Sequence, residues 1–157
     1  FKRIRDKLPR IELFAIGGYE EDELFPFLES EGIHTMNRIT RERLRDYYCA
    51  SDIYLLPSTD WYVTNFGGIS NACIESLACN TPIYTSQMKH FLGSEKEKEL
   101  IGMEFTDKSS IEKDIIKMIR CKEKYTHCRD ISKKYYNRKD NISKLVEIYG
   151  KIREDYR

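Results

Sequence analysis

The sequence predicts an α/β fold with a mainly parallel sheet covered by helices on both faces. Three observations carry this prediction. Apolar runs of strand length alternate with stretches whose apolar residues recur at helical spacing. Runs such as DIYLLPS, Asp52 to Ser58, are almost continuously apolar, as strands buried on both sides are. The 157 residues contain no linker, repeat or low-complexity segment, so residues 1–157 read as one domain with a real core.

Taken in order, RIELFAIGG reads as a buried strand ending in the glycine turn Gly17-Gly18. EEDELFPFLESEG follows as a helix with Pro26 near its start. IHTMNRI is a short strand, and Thr40 is placed to cap the helix RERLRDYYCA, whose inner face would carry Leu44, Tyr47 and Tyr48. DIYLLPS, PIYTS and GMEFTD are the remaining strands. Ser109 and Glu112 have the spacing of a capping box opening the helix SIEKDIIKMIR. A further helix is expected from about Cys121 to Tyr136. Beyond Asn141 the tail places Ile142, Leu145, Ile148, Tyr149 and Ile152 at helical spacing, expected to be a packing face.

Composition narrows the function classes. Charge is high but balanced at net +1, which gives no basic excess for a general nucleic-acid surface. No apolar run approaches the roughly 18–20 residues of a membrane span. FKRIRDKLPR has no apolar segment of the kind found in a signal peptide. The cysteines (Cys49, Cys73, Cys79, Cys121, Cys128) are odd in number and lack C-x-x-C spacing. They read as buried thiols of a cytoplasmic protein, with zinc or disulfides as the lesser alternative. His34, His90 and His127 are scattered, so no metal site is expected. Asn141-Ile142-Ser143 is a formal glycosylation sequon that matters only in a secreted protein.

In open parallel sheets ligands bind beyond the carboxyl ends of the strands. The loops of interest are therefore Gly17-Gly18, Asn37 to Thr40, Ser58 to Ser70 and Ser86 to His90. The most informative stretch is NFGGISNACIESLACNTPIYTS, Asn65 to Ser86. Gly67 and Gly68 let the backbone turn tightly and approach a ligand. Ser70 or Asn71 would cap the helix behind them, and the first-turn N–H groups would form an anion site. Glu75, about one turn further in, suits two adjacent hydroxyls, as on a ribose. Phosphate at the tip and ribose beside it describe a nucleotide-diphosphate sugar. A helix with ordinary capping and a surface acid is the alternative reading of the same residues.

The order YYCASDIYLLPS, then GGISNACIESLACNTPIYTS, resembles the carboxyl-terminal half of retaining glycosyltransferases of the GT-B fold, family 4. Pro57-Ser58 resembles the end of that family's apolar strand. SNACIESLACNTPIY is similar, almost position for position, to its E-x7-E phrase. IHTMNRITRERLRDYYCASD and IELFAIGG resemble earlier phrases in the same order, so the likeness runs from Ile11 to about Tyr149. The resemblance implies a Rossmann-like three-layer sandwich with a mainly parallel sheet. It also implies a nucleotide-sugar donor as substrate, with no cofactor and no metal.

Residue by residue, the resemblance makes Glu75 the second, ribose-binding acid of E-x7-E. Gly68, Ile69, Ser70 and Asn71 match the loop whose N–H groups face the donor diphosphate and sugar. Asn37, Arg38 and Ile39 match the turn lining the nucleobase, and Gly17 and Gly18 a glycine turn near the donor. Two departures stand out. Gly67 occupies the place of the first acid, in a lengthened loop, TDWYVTNF, where Asp60 is the only acid and the candidate stand-in. Trp61, Tyr62 and Phe66 in that loop would stack on a sugar or acceptor, or pack on one another. The family's first strand and the basic pair that clamps the diphosphate are also missing, since FKRIRDKLPR resembles the end of the helix after that strand.

The resulting expectation is one half of a two-domain enzyme, inactive by itself, that moves a hexose from a nucleotide-sugar to a glycan or lipid-linked acceptor. Its missing amino-terminal domain would supply the acceptor site. The whole enzyme would be cytoplasmic and associate peripherally with the inner face of a membrane. A degenerate, non-catalytic binding module is the main alternative. A nucleotide-sugar epimerase would need further acids and histidines, and a response regulator would need paired Asp residues where IELFAIGG ends in Gly-Gly.

Overall fold

Apolar runs form strands here, each short and each followed by a helix that covers one face of the sheet. A computed structural model describes residues 1–18, 24–58 and 68–155. Helix α1 spans Lys2–Lys7, β1 Phe14–Gly18, α2 Leu24–Ser30, β2 His34–Asn37, α3 Arg41–Ala50 and β3 Tyr54–Leu56. After the glycine loop come α4 Asn71–Ala78, β4 Ile83–Thr85, α5 Glu95–Ile101, β5 Gly102–Glu104 and α6 Ile111–Arg120, then α7 Cys128–Tyr136 and α8 Arg138–Asp155. Every recorded strand pairing is parallel. The α/β class and the Rossmann-like arrangement of parallel strands and flanking helices are as the sequence predicts.

The strands form two sheets. β1 pairs with β2, and β4 lies between β3 and β5. β1 and β3 do not pair with each other, so one edge of each faces away from its own sheet.

The core gathers around β4. Ile83, Tyr84 and Leu77 have no solvent exposure, and Cys73, Ile101, Met118 and Cys128 pack into the same cluster. The Tyr84 hydroxyl reaches across to α6 and donates to Asp114 Oδ2 at 3.0 Å. β5 can approach this strand because it begins with Gly102. A Cβ at that position would stand 1.9 Å from the Ile83 carbonyl oxygen.

Helix starts follow the expected chemistry in part. The Thr40 hydroxyl accepts the Arg43 N–H at 3.4 Å, as predicted. The Ser109–Glu112 capping box does not form. Ser110 is the residue before α6 and makes no side-chain cap. Ser109 instead donates its N–H to Asp107 at 2.6 Å. Glu112 turns to α1, 3.0 Å from Arg3 Nε and 2.5 Å from Lys7 Nζ, because two cations are stronger partners than one backbone amide. The capping box that does form is Ser94 with Glu97, at the start of α5.

Other expectations need correction. The single helix from Cys121 to Tyr136 is broken into a 3-10 turn, Lys122–Tyr125, and α7. The tighter turn lets both Tyr125 and Cys128 enter the core, with the Cys128 thiol 3.2 Å from the Tyr125 carbonyl oxygen. α5, which the sequence reading passed over, precedes GMEFTD. The thiols are not all buried: Cys49 is exposed, and Cys79 and Cys121 are half-buried. The apolar stripe of α8, widened by Val146, is exposed rather than packed. No helix among the described residues is long and apolar enough to cross a membrane.

Candidate functional site

The site is built around the start of α4. Ser70 holds extended backbone angles (φ −71°, ψ 152°), and its hydroxyl accepts the Cys73 N–H at 3.2 Å. Its own N–H donates to the Gln87 side-chain oxygen at 2.8 Å. Gln87 is itself buried and fixed by an N–H bond to the Thr85 hydroxyl at 3.1 Å. The carboxyl end of β4 is thereby tied to the tip of α4. This leaves the Asn71 and Ala72 N–H groups without an acceptor among the described residues. They point out of the positive end of the helix, where an anion is favoured.

Gly68 stands just before this tip with φ +63°, a conformation that costs most side chains but not glycine. Among the described residues an added Cβ would meet nothing within 4 Å. The glycine is therefore required by backbone conformation rather than by contact with the other described residues. Ile69 is half-buried and packs against the core cluster, which anchors the loop.

Glu75 is exposed on α4, four residues beyond Asn71 and so about 6 Å along the helix axis. α4 packs against α3, β3, β4 and α7, and the Glu75 charge acts on Tyr48 of α3 and Tyr54 of β3. Burial pushes the Tyr48 phenol up to about 12, and the nearby Glu75 charge adds to the shift. Tyr54 moves in the same direction, again mainly through burial. Those phenols stay neutral, and no cation lies within ion-pair distance of Glu75 among the described residues. Its oxygens are available to hydroxyl donors.

Behind the tip lies Ser86, whose hydroxyl is buried and has no hydrogen-bond partner among the described residues. A buried hydroxyl left so costs about 1–3 kcal/mol, a cost that a bound water, ion or ligand would relieve. Ser86 and Gln87 were not singled out from sequence, although the loop from Ser86 to His90 was. The available signal was a run of polar residues, Thr85-Ser86-Gln87, directly after an apolar strand.

The other predicted residues gather at the second sheet. Gly17 has φ +113° at a register shift, and Gly18 pairs with Asn37 across it. Asn37 and Arg38 are exposed at the carboxyl end of β2, and Ile39 is half-buried. The structure thus brings Gly68, Ile69, Ser70, Asn71 and Glu75 together on one element, and Gly17, Gly18, Asn37, Arg38 and Ile39 at the end of the other sheet. Asp60, Trp61, Tyr62, Phe66 and Gly67 lie outside the described residues. Among the described residues, no group of three or more His, Cys, Asp or Glu side chains is arranged to hold a metal ion.

Residues 1–135 match the family model of the group 1 glycosyl transferases. The chain belongs to that family. No curated protein matches it. As a group 1 glycosyltransferase domain it serves glycosyl transfer, between a sugar donor and an acceptor. The family match covers both halves of the candidate site, from Gly17 to Gln87, and ends within α7.

Proposed function

We propose that this chain is the donor-binding half of a retaining, GT-B glycosyltransferase of family 4. It would hold a nucleotide-diphosphate hexose while the sugar passes to an acceptor hydroxyl. The observation that carries this reading is the α4 tip: a left-handed Gly68, two unused N–H groups and an exposed carboxylate one turn in. The diphosphate sits against the Asn71 and Ala72 N–H groups, with the Ser86 hydroxyl close behind. Glu75 accepts the two ribose hydroxyls. The Gly17-Gly18 and Asn37 to Ile39 turns line the base. As the glycosidic bond breaks, negative charge grows on the departing diphosphate, and fixed N–H dipoles stabilise it without reorganising. No cofactor or metal enters this scheme. Asp60 is the candidate stand-in for the acid that Gly67 lacks, and it lies outside the described residues.

The same reading makes the chain part of a longer two-domain enzyme. A parallel strand inserted between β1 and β3 would pair both free edges and join the two sheets in the order β2-β1-insert-β3-β4-β5. The acceptor, a glycan or a lipid-linked sugar, would be bound by the other domain, and this half alone would not turn over. The loss of the first acid at Gly67 favours a second reading, a non-catalytic domain that keeps only donor binding.

Calorimetry on the full-length enzyme tests both. Glu75→Gln should weaken UDP- or GDP-sugar binding by roughly 1.5–3 kcal/mol, the contribution of hydrogen bonds to a charged group. Its melting temperature should stay unchanged. Unaltered donor affinity would sink the ribose assignment. Donor binding without turnover would establish the non-catalytic reading.

A further inference from the structure

Two thiols meet where α3 packs against α4. Cys79 is the residue that ends α4, and its N–H donates to the Glu75 carbonyl at 3.1 Å. Its Sγ lies 3.9 Å from the Arg45 carbonyl oxygen, across the helix interface. In a helix that carbonyl accepts the N–H of the residue four positions on, which in α3 is Cys49. The Cys49 and Cys79 side chains are hydrogen-bonded to each other. A second tie holds the same junction, since the Thr81 hydroxyl donates to the carbonyl of Tyr48, the residue before Cys49. The two sulfurs are therefore held side by side by contacts anchored in the backbone of both helices.

The surroundings suit a reactive pair. Cys49 is exposed and Cys79 half-buried, whereas Cys73 and Cys128 have no solvent exposure and sit in the core. Neither Cys49 nor Cys79 belongs to that core. Arg45 and Arg129 stand close by. Arg129 donates from Nε to the Ala78 carbonyl at 2.8 Å, and both guanidinium charges favour a thiolate at Cys79. Burial outweighs them and pushes the Cys79 thiol up to about 11, with the Cys49 sulfur adding to the shift. Cys79 thus keeps its proton near neutral pH, and the exposed Cys49 is the sulfur that an oxidant meets first.

We propose that Cys49 and Cys79 form a redox-active dithiol, which a low-molecular-weight disulfide such as oxidised glutathione converts to a disulfide joining α3 to the end of α4. The Cys49 thiolate attacks one sulfur of the oxidant, breaking its S–S bond and releasing one glutathione. Cys79 then attacks the Cys49 sulfur of the mixed disulfide and releases the second. The two protein thiol protons end on the two departing glutathiones, and the dithiol is oxidised as the small disulfide is reduced. The bridge closes a loop running from α3 to the end of α4 and so removes conformations from the unfolded chain. The pair shares no residue with the α4 tip, so this proposal stands or falls independently of the donor assignment.

Thiol mapping of the full-length protein tests it. The protein is equilibrated with equimolar reduced and oxidised glutathione, then denatured and alkylated. Chymotrypsin is the protease to use, because no Lys or Arg lies between Asp46 and Met88 to separate Cys49, Cys73 and Cys79 with trypsin. The peptide holding Cys49 should be joined to the one holding Cys79, lighter than the two free thiols by two hydrogens, while Cys73 and Cys128 carry the alkyl label. The oxidised protein should melt about 5 °C or more above the reduced protein. Cys49→Ser, at an exposed position, should abolish that difference and leave the melting temperature of the reduced protein unchanged. In Cys79→Ser the Cys49 thiol should stop at the mixed disulfide with glutathione. Free Cys49 and Cys79 in the equilibrated wild type would overturn the proposal. So would a wild-type mixed disulfide at Cys49 that goes no further, or a bridged protein that melts no higher than the reduced one.

Discussion

The two sheets of this molecule contain similar residues but are buried to very different degrees. Ile83, Tyr84 and Thr85 of β4 are fully covered, while every strand residue of β1 and β2 with a described side chain is half-buried or exposed. Composition explains only part of this, since HTMN is polar but FAIGG is no more polar than IYT. The difference follows from neighbours. β4 has a strand on each side, with α4 packed against it and Tyr84 hydrogen-bonded to Asp114 of α6. β1 has one strand partner and a bare edge. A strand's burial is thus a property of the sheet it completes. Among the described residues β1, β2, β3 and β5 are all edge strands, and β4 alone is paired on both sides.

The sharpest way to break the comparison is to delete equal apolar volume from each half. Leu77→Ala, in the fully buried cluster beside β4, should cost about 2–5 kcal/mol. Ile16→Ala in half-buried β1 should cost about 1 kcal/mol or less, since most of the cavity opens to solvent. Urea unfolding of the two variants decides the matter. Equal losses would mean that β1 is buried in solution by something absent from this arrangement, such as the inserted strand proposed above.

A smaller effect is expected where the halves differ in backbone approach. Gly102→Ala puts a methyl group into the Ile83 carbonyl, and only a shift of β5 away from β4 relieves it. The expected cost is about 1–3 kcal/mol, as for other overpacked sites. Gly68→Ala, which meets none of the described residues within 4 Å, should cost about 1 kcal/mol from its left-handed backbone. Comparing the two melting temperatures separates contact from conformation. A larger loss at Gly68 than at Gly102 would reverse the assignment.

What the sequence made legible is what local chemistry decides. The strands, the Thr40 cap, the Gly68 turn and the Ser70 cap could be read because each depends on residues within a few positions of one another. The Ser109–Glu112 reading was wrong because two distant cations, Arg3 and Lys7, compete for Glu112, and no local pattern reports them. Breaking the helix between Cys121 and Tyr136 depends on where the core lies relative to Tyr125 and Cys128. Gln87 is the clearest case within the site. Its bond to Ser70 spans 17 residues and exists only once β4 and α4 are side by side.

The last and smallest expected effect comes from Glu97, which combines a readable pattern with an unreadable one. Ser94-Glu95-Lys96-Glu97 has the spacing of a plain capping box, with the Ser94 N–H donating to Glu97 Oε2 at 2.8 Å. The same carboxylate also accepts Lys134 Nζ at 2.8 Å and the Tyr135 hydroxyl at 2.7 Å, joining α5 to α7. These donors hold its pKa down at about 2, Lys134 contributing most. A carboxyl whose pKa is lower folded than unfolded stabilises the fold while ionised. That contribution is complete above the ordinary value of 4.5 and is lost as pH falls from there toward about 2. Melting temperature should therefore drop over that window, and Glu97→Gln should flatten the drop while lowering stability at pH 7. The effect stays small because Lys134 is largely solvent-exposed and water screens its charge. A variant whose profile between pH 4.5 and 2 matched the wild type would show that Glu97 does not join α5 to α7 in solution.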